Sequence, residues 1–193
     1  MADLSDEELV RRFLRGDRAA MGTLVERHQS RIHGLCLRML GRREDAADAT
    51  QDVFITCMRK LGGFREEARF STWLYRVAVN VCHDTLRKRS RERPMDEDAP
   101  EGEAGGGDPA SQAAAAADVE RGLRQIPEDY RAVLLLHDLH DLPYEEVARV
   151  IGAPLGTVKS RIHRGRVALA RALEGTPLEP AEGAAPSKQE ETP

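Results

Sequence analysis

Apolar side chains recur at three- and four-residue steps along most of the chain, a spacing that places them on one face of an α-helix. One stripe runs from Met21 to Met39 and another from Ala46 to Leu61. A further helix is expected to begin at Ser71, a good N-cap, and to continue to about Arg89. No window alternates apolar and polar residues for long enough to predict a strand. The pattern therefore predicts an all-α protein.

The signals at helix ends agree with this pattern. Ser5 and Glu8 form a capping box for a first helix, and Gly16 suits its end. A second helix is expected to begin near Asp17 and to end before Gly41. The N-terminal half thus predicts four helices.

The C-terminal half predicts shorter helices over residues 119–126, 128–140, 144–151 and 155–173. The last two are separated only by Gly152-Ala153-Pro154. A short helix, a tight turn and a longer basic helix are typical of a helix-turn-helix. On the last helix, Val158 and Ile162 face inward, and the opposite face has donors but no carboxylates, as a DNA major groove requires. A basic face that is merely solvated fits the same periodicity.

Charge divides the 193 residues into four parts. Residues 1–93 hold 19 basic and 14 acidic side chains, and residues 119–173 hold 9 and 7. Between them, residues 94–118 hold 7 acidic and no basic side chains, and residues 174–193 hold 5 acidic side chains and 1 basic. The two acidic segments are rich in Pro, Gly and Ala and cannot bury enough apolar area to offset the ordering entropy. We therefore expect two small helical domains, 1–93 and 119–173, a flexible acidic linker and a disordered acidic tail.

Several functional classes are disfavoured by composition. No apolar run approaches the ~20 residues of a membrane span, and the N-terminus lacks the apolar core of a secretory signal. Cys36, Cys57 and Cys82 are odd in number and widely spaced, so we expect buried, reduced thiols in a cytoplasmic protein. His137, Asp138 and His140 cluster without any other ligand set, which disfavours a metal site.

Two long segments resemble a known family. The C-terminal one reads LPYEEVARVIGAPLGTVKSRIHRGRVALARAL, and the N-terminal one reads DAADATQDVFITCMRKLGGFREEARFSTWLYRVAVNVCHDTLRKRSR. They resemble region 4 and region 2 of the extracytoplasmic-function (ECF) sigma factors, in the sigma-70 family, and the likeness covers about residues 5–173. GTVKSR alone is shared with other helix-turn-helix regulators, but FSTWLYRVAVN upstream makes the match specific. The resemblance implies a non-enzymatic protein, without a cofactor, that binds core RNA polymerase, places it on a promoter and helps to separate the strands near −10.

The resemblance also implies a polymerase contact on the helix near residues 45–61, which would dock on the coiled coil of the β′ subunit. The candidate residues are Asp48, Gln51, Asp52 and Phe54. Two carboxylates one helical turn apart suit a basic partner, and an aromatic side chain suits an apolar anchor. The alternative is an exposed acidic face beside a core Phe.

For the −10 element, the resemblance implies that the loop 62–70 captures a base flipped from the single strand. Extruding a base costs a few kcal/mol, which amide, aromatic and cationic groups must offset. The candidates are Phe64, Arg65, Phe70, Trp73, Arg76 and Asn80, followed by a basic run suited to phosphates: Arg87, Lys88, Arg89, Arg91 and Arg93. Alternatively, Trp73 is a core residue and the basic run is a solvated helix end.

For the −35 element, Lys159, Ser160, His163 and Arg164 align with the family's base- and phosphate-contacting positions. Gly156 and Thr157 open the same helix, and Arg149 and Arg161 are expected beside the DNA backbone. Free amides at the start of the helix can meet a phosphate. Gly165 stands where Ala is common, at an expected cost of roughly 0.5–1 kcal/mol. Pro143 stands where the family often has a Ser cap.

Other functions remain open from the residues alone. One is a stand-alone helix-turn-helix regulator whose N-terminal helices sense a signal or dimerise, and another is an adaptor that binds polymerase without reading a promoter. The family also implies contact with the β subunit and an anti-sigma factor wedged between the domains. The acidic linker suits a polymerase channel built for phosphates, although plain solvation explains its charge equally well.

Overall fold

The computed structural model describes residues 4–65, 68–92 and 109–175. The N-terminal half of that part contains α1 (Asp6–Leu14), α2 (Arg18–Leu40), α3 (Arg43–Lys60), a 3₁₀ turn (Leu61–Gly63) and α4 (Phe70–Glu92). The C-terminal half contains α5 (Pro109–Gln125), α6 (Glu128–Leu134), a π-helical turn (Leu135–Leu139), α7 (Tyr144–Ile151) and α8 (Leu155–Leu173). These residues include no strand, and the predicted all-α fold is confirmed.

The helix ends follow the sequence signals closely. The Ser5 hydroxyl accepts a hydrogen bond from the Glu8 amide at 3.2 Å, and Asp17 Oδ1 accepts one from the Ala19 amide at 3.1 Å. Gly41 ends α2 in the left-handed conformation, with φ 76°, which favours glycine because it has no Cβ. The start of α1 and both ends of α2 therefore arise from local chemistry.

The start of α4 differs from the prediction. The helix begins at Phe70, so Ser71 lies inside its first turn rather than at the N-cap. The Phe70 amide donates instead to Glu7 Oε1 at 3.2 Å, and this carboxylate lies on α1, 63 residues upstream. Because the cap comes from a distant element, its position could not be recognised from the local sequence.

The N-terminal helices enclose one apolar core. Leu24, Leu35, Met39, Val53 and Leu74 are all fully buried within it. The three thiols are free and buried in the same core, which confirms their prediction: Cys36, Cys57 and Cys82. Burial raises the pKa of the Cys57 thiol to about 12, so this side chain is an inert part of the packing.

The C-terminal helices form the predicted helix-turn-helix. Gly152 closes α7 with φ 65°, and α8 begins after Pro154. Gly165 lies where α8 crosses α6: a Cβ added there would come within 3.0 Å of the Leu134 side chain. This glycine lowers the helix propensity of α8, as expected. Because it has no Cβ, it also lets α6 and α8 approach each other closely.

The predicted boundary of the linker is wrong on its C-terminal side. α5 begins at Pro109, within the segment 94–118 that we expected to be unstructured. The run of alanines in this segment favours a helix, and Gly122 brings α5 against Leu169 and Leu173 of α8. The remainder of the predicted linker, 94–108, and the tail beyond Gly175 lie outside the described residues.

The two halves contact each other directly. α7 packs on α4, and α5 and α6 both contact α2. The Arg131 guanidinium of α6 is buried and donates to the carbonyl oxygen of Met39, near the end of α2. The same guanidinium donates to the carbonyl oxygens of Arg124 at 3.0 Å and Ile126 at 3.1 Å. One side chain thus joins the last turn of α2 to the turn between α5 and α6.

Candidate nucleic-acid interface

One exposed face of α4 carries cationic and amide groups. Arg76, Asn80 and Arg87 are exposed at helical spacings of four and seven residues. An α-helix places residues with these spacings on one side. The structure therefore aligns three of the predicted −10 residues in a single stripe.

Aromatic rings lie beside the start of this stripe. The Phe64 ring meets the Trp73 ring edge-on, with centroids 5.7 Å apart, and both side chains are half-buried. Phe70 is only 1% exposed and packs against Phe64, Trp73 and the ring of His28. Phe70 is therefore a core residue in this structure, and its predicted contact with a base is corrected accordingly. Arg65 is exposed beside the rings, and residues 66 and 67 of the loop lie outside the described part.

The basic run at the end of α4 divides into two kinds of residue. Arg87, Lys88 and Arg91 are exposed, and Arg87 pairs with Asp84 one turn earlier. Arg89 instead lies 3.7 Å from Asp45 of α3, and its side chain is 23% exposed. Arg89 therefore ties α4 to α3, and Arg93 lies outside the described residues.

The predicted polymerase contacts on α3 do not form one surface. Asp48, Gln51 and Asp52 are exposed together, whereas Phe54 is 8% exposed and belongs to the core. The structure thus has the alternative arrangement, an exposed acidic face beside a core Phe. The role of Phe54 as an apolar anchor is corrected on that ground.

The outer face of α8 is open, as the sequence predicts. Val158 and Ile162 are buried. The exposed residues on the opposite face are Gly156, Lys159, Ser160, His163, Arg164 and Val167. Thr157 is half-buried, and its carbonyl oxygen accepts a hydrogen bond from the Ser160 hydroxyl at 2.9 Å. Arg161 is half-buried and lies 2.8 Å from Asp129 of α6, so this guanidinium braces α8.

Three supporting side chains behind α8 were missed from the sequence. Tyr144 stacks on His137, with ring centroids 4.4 Å apart, and Lys159 Nζ lies 5.9 Å from the centre of the Tyr144 ring. Asp138 accepts two hydrogen bonds from Arg166, which raise the pKa of that guanidinium. The Lys159–Tyr144 and Arg166–Asp138 contacts join residues 15 and 28 positions apart, so no local pattern announces them.

The part of the chain that the structure describes contains no group of three or more His, Cys, Asp or Glu side chains that could hold a metal ion. His137 and His140 point to different partners, Tyr144 and Tyr75. Across the same residues, none of the helices combines the length and the apolar character that crossing a membrane requires.

Comparison with known proteins matches the two halves separately to family profiles. The Sigma-70 region 2 profile matches residues 24–92, and the Sigma-70 region 4 profile matches residues 116–169. The RNA polymerase sigma-H factor of Pseudomonas aeruginosa is 39% identical over 88% of this chain and 94% of its own length. The ECF RNA polymerase sigma-E factor of Haemophilus influenzae is 35% identical over 84% of this chain and 92% of its own length.

Solved structures share the arrangement of helices. CnrH, solved in complex with the cytosolic domain of CnrY, covers 88% of this chain and 97% of its own with a TM-score of 0.66 at 24% identity. The sigma factor RpoE of Bartonella quintana, solved with the anti-sigma factor NepR, covers 79% of this chain and 96% of its own with a TM-score of 0.65 at 22% identity. These two similarities concern the fold alone. The two profiles and the relatives together show that the chain belongs to the ECF group of the sigma-70 family of RNA polymerase sigma factors.

Proposed function

We propose that this chain binds core RNA polymerase in the cytoplasm and directs it to promoters by reading a −10 element with α4 and a −35 element with α8. The observation that carries the proposal is the presence, in one chain, of two different open donor faces. The α4 face combines aromatic, amide and cationic groups, and the α8 face has donors only. A repressor that binds duplex DNA needs the second face but has no use for the first.

The −10 face suits a single strand. A flipped base can stack on Phe64 or Trp73, because both rings are partly exposed. Asn80 offers both a donor and an acceptor to a base edge, and Arg76 offers a charge to the neighbouring phosphate. These contacts would offset the few kcal/mol that unstacking the base costs.

The −35 face suits the major groove. Lys159 and Arg164 lie on the same exposed side of α8, where they reach guanine O6 and N7 or phosphates. The first turn of α8, at Gly156, presents amides that are free to meet a phosphate. The stacked pair of His137 and Tyr144 supports Lys159 from behind.

The polymerase contact is assigned to the acidic face of α3, where Asp48, Gln51 and Asp52 are exposed together. These side chains suit a basic segment of the polymerase β′ subunit, and the β subunit is a further expected contact. An anti-sigma factor is the expected regulatory partner, and no catalytic role is assigned to any residue.

Run-off transcription with purified core polymerase on a randomised promoter library tests this function. We expect initiation from templates that share two elements. Lys159→Ala and Arg164→Ala should each lose about 1–3 kcal/mol of discrimination at one −35 position and leave the −10 preference unchanged. Arg171→Ala is the matched control, because Arg171 is exposed on α8 beyond this face.

Two results would contradict the proposal. One is a chain that binds duplex DNA as a dimer and has no affinity for core polymerase, which describes a stand-alone regulator. The other is polymerase binding without any sequence preference in the transcripts, which describes an adaptor.

A further inference from the structure

We propose that Asp6 of α1 and His28 of α2 are positioning residues for the −10 face. The Asp6 carboxylate holds the His28 imidazole, and this ring holds Phe70 behind the two rings on which a flipped base would stack. The inference deepens the proposed function, on which it rests for the role of those two rings. The series of contacts itself can be tested without DNA or polymerase.

The first contact is a pair between α1 and α2. Asp6 Oδ2 lies 2.7 Å from His28 Nε2, and His28 is only 9% exposed. The other carboxylate oxygen, Oδ1, accepts a hydrogen bond from the Arg27 guanidinium at 3.0 Å. Each oxygen of the carboxylate thus has its own partner on α2. Since a carboxylate accepts hydrogen bonds, His28 Nε2 is the donor, and the pair fixes the orientation of the imidazole.

The second contact runs from the imidazole to the aromatic cluster. The His28 ring meets the Phe70 ring edge-on, at 66° and with centroids 5.5 Å apart. The Phe70 centroid lies 6.0 Å from the ring centroids of both Phe64 and Trp73. Aromatic pairs at these separations attract each other in preferred orientations. The position of the two half-buried rings therefore depends on a ring that His28 supports.

Helix α1 holds Phe70 at a second point. The Phe70 amide donates to Glu7 Oε1 at 3.2 Å, so two successive carboxylates of α1 act on the same residue, one at its backbone and one through the imidazole. Helix α1 lies ahead of residues 24–92, the segment that matches the region 2 profile. A cradle that is held in place before the base arrives reduces the entropy cost of capturing it.

The support for Phe70 is polar although the surrounding core is apolar. His28 is one of three polar or charged residues that are buried among the described residues, with Thr72 and Arg131. A buried polar group has a desolvation cost that an apolar side chain avoids, whereas its hydrogen bond has a direction. This direction is what His28 adds, because it sets the angle at which the imidazole meets Phe70.

The test compares single and double variants of the full-length chain. Asp6→Ala removes the carboxylate, His28→Phe keeps a ring but removes the donor, and the double variant combines the two changes. His28→Gln does the reverse of His28→Phe, since it keeps a donor and removes the ring. Glu8→Ala is the matched control, because Glu8 is a carboxylate of the same helix that pairs with Arg11 of α1 itself, at 2.8 Å.

The first measurement uses no DNA. Trp73 is the single tryptophan, so acrylamide quenching of the intrinsic fluorescence reports the exposure of its ring. We expect stronger quenching in Asp6→Ala and His28→Gln than in the parent, because Phe70 is then free to move away from Trp73. Glu8→Ala should match the parent. Circular dichroism checks that each variant keeps its helices, and if His28→Gln does not, Asp6→Ala and His28→Phe decide the outcome.

The second measurement is the base preference of each variant in run-off transcription with core polymerase on the randomised promoter library. We expect Asp6→Ala to reduce the preference at one −10 position by about three- to tenfold, a part of what stacking on an aromatic ring contributes, and to leave the −35 preference unchanged. His28→Phe should show a comparable loss, since no hydrogen bond orients its ring. Adding Asp6→Ala to His28→Phe should have no further effect, because the carboxylate acts through the imidazole.

Equal quenching in the parent and in Asp6→Ala would overturn the inference. A similar loss of preference at both promoter elements would also overturn it, since that result describes a general loss of stability. An undiminished effect of Asp6→Ala in the His28→Phe background would do the same, because the carboxylate would then act elsewhere. If the quenching changes as expected but no promoter supports transcription, the positioning of Trp73 stands and the proposed function fails.

Discussion

The surroundings of His140 shift the pKa of its imidazole. Burial is the main cause that lowers the pKa of its imidazole to about 4, and the positive charges of Arg38 and Arg31 lower it further, while Asp141 acts in the opposite direction. The Tyr75 hydroxyl lies 3.1 Å from Nδ1 of this ring, and an imidazole protonated on both nitrogens could only donate there.

Stability should therefore fall in mild acid. The unfolded chain takes up a proton on His140 near pH 6.5, whereas the folded chain resists this until about pH 4. The unfolded state holds more protons in that window, so the free energy of unfolding decreases as the pH falls through it, by up to roughly 3 kcal/mol. Urea unfolding at pH 7 and pH 5 measures the loss, and His140→Asn should make it smaller. An identical pH dependence in this variant would contradict the assignment.

Gly22 and Gly165 both lie inside helices but differ in the space around them. A Cβ at Gly22 meets no atom within 4 Å, whereas a Cβ at Gly165 lies 3.0 Å from Leu134. We expect Gly22→Ala to stabilise the protein by about 0.5–1 kcal/mol through helix propensity. Gly165→Ala should yield none of that gain, because Leu134 must move. Equal stabilisation in thermal unfolding would show that α6 and α8 pack loosely here.

At the scale of elements, α4 depends on α1 for its first turn. The Glu7 carboxylate is the acceptor for the Phe70 amide, so Glu7→Ala should leave that amide without its partner. We expect a loss of about 1 kcal/mol, comparable to that of an ordinary N-cap. Hydrogen exchange should quicken at the start of α4 rather than along the whole helix. Glu145→Ala removes an exposed carboxylate elsewhere and serves as the control.

Periodicity and capping predicted most of the elements because those signals are local. The stripes from Met21 to Met39 and from Ala46 to Leu61 became buried helix faces, and Gly41 ends α2 as expected. The start of α4 and that of α5 were missed. The cap at the start of α4 comes from Glu7, which is distant in sequence, and α5 packs on α8.

In the candidate sites, too, the sequence predicted only those features that depend on local spacing. Exposure of Lys159, His163 and Arg164 follows from helical spacing, and the sequence predicted it. Periodicity does not tell a core aromatic from an exposed one, which is why Phe54 and Phe70 were assigned to contacts although both are buried. Whether the exposed residues bind DNA or polymerase stays a prediction.

At the scale of the whole molecule, Arg131 couples the two halves. Burial lowers the pKa of its guanidinium, and its donors serve three carbonyl oxygens on α2 and around the end of α5. Replacing it with Met keeps most of the volume but leaves these carbonyls unpaired. We expect Arg131→Met to cost about 2–3 kcal/mol.

The same variant should separate two unfolding transitions. Trp73, the single tryptophan, reports on the N-terminal half, and circular dichroism reports on all helices. Both signals should change together in the parent and at different urea concentrations in Arg131→Met. Arg171→Met, at an exposed position, should keep them together. Coincident transitions in both variants would assign the coupling to other contacts.

The junction between α4 and α7 also has a consequence that follows from chain connectivity. Its partners, Thr72 with Glu146 and Tyr75 with His140, belong to one covalent chain, so they meet at the effective concentration that a linker provides, commonly about millimolar. A junction far too weak to hold two separate proteins together therefore suffices to keep the two halves of this chain in contact.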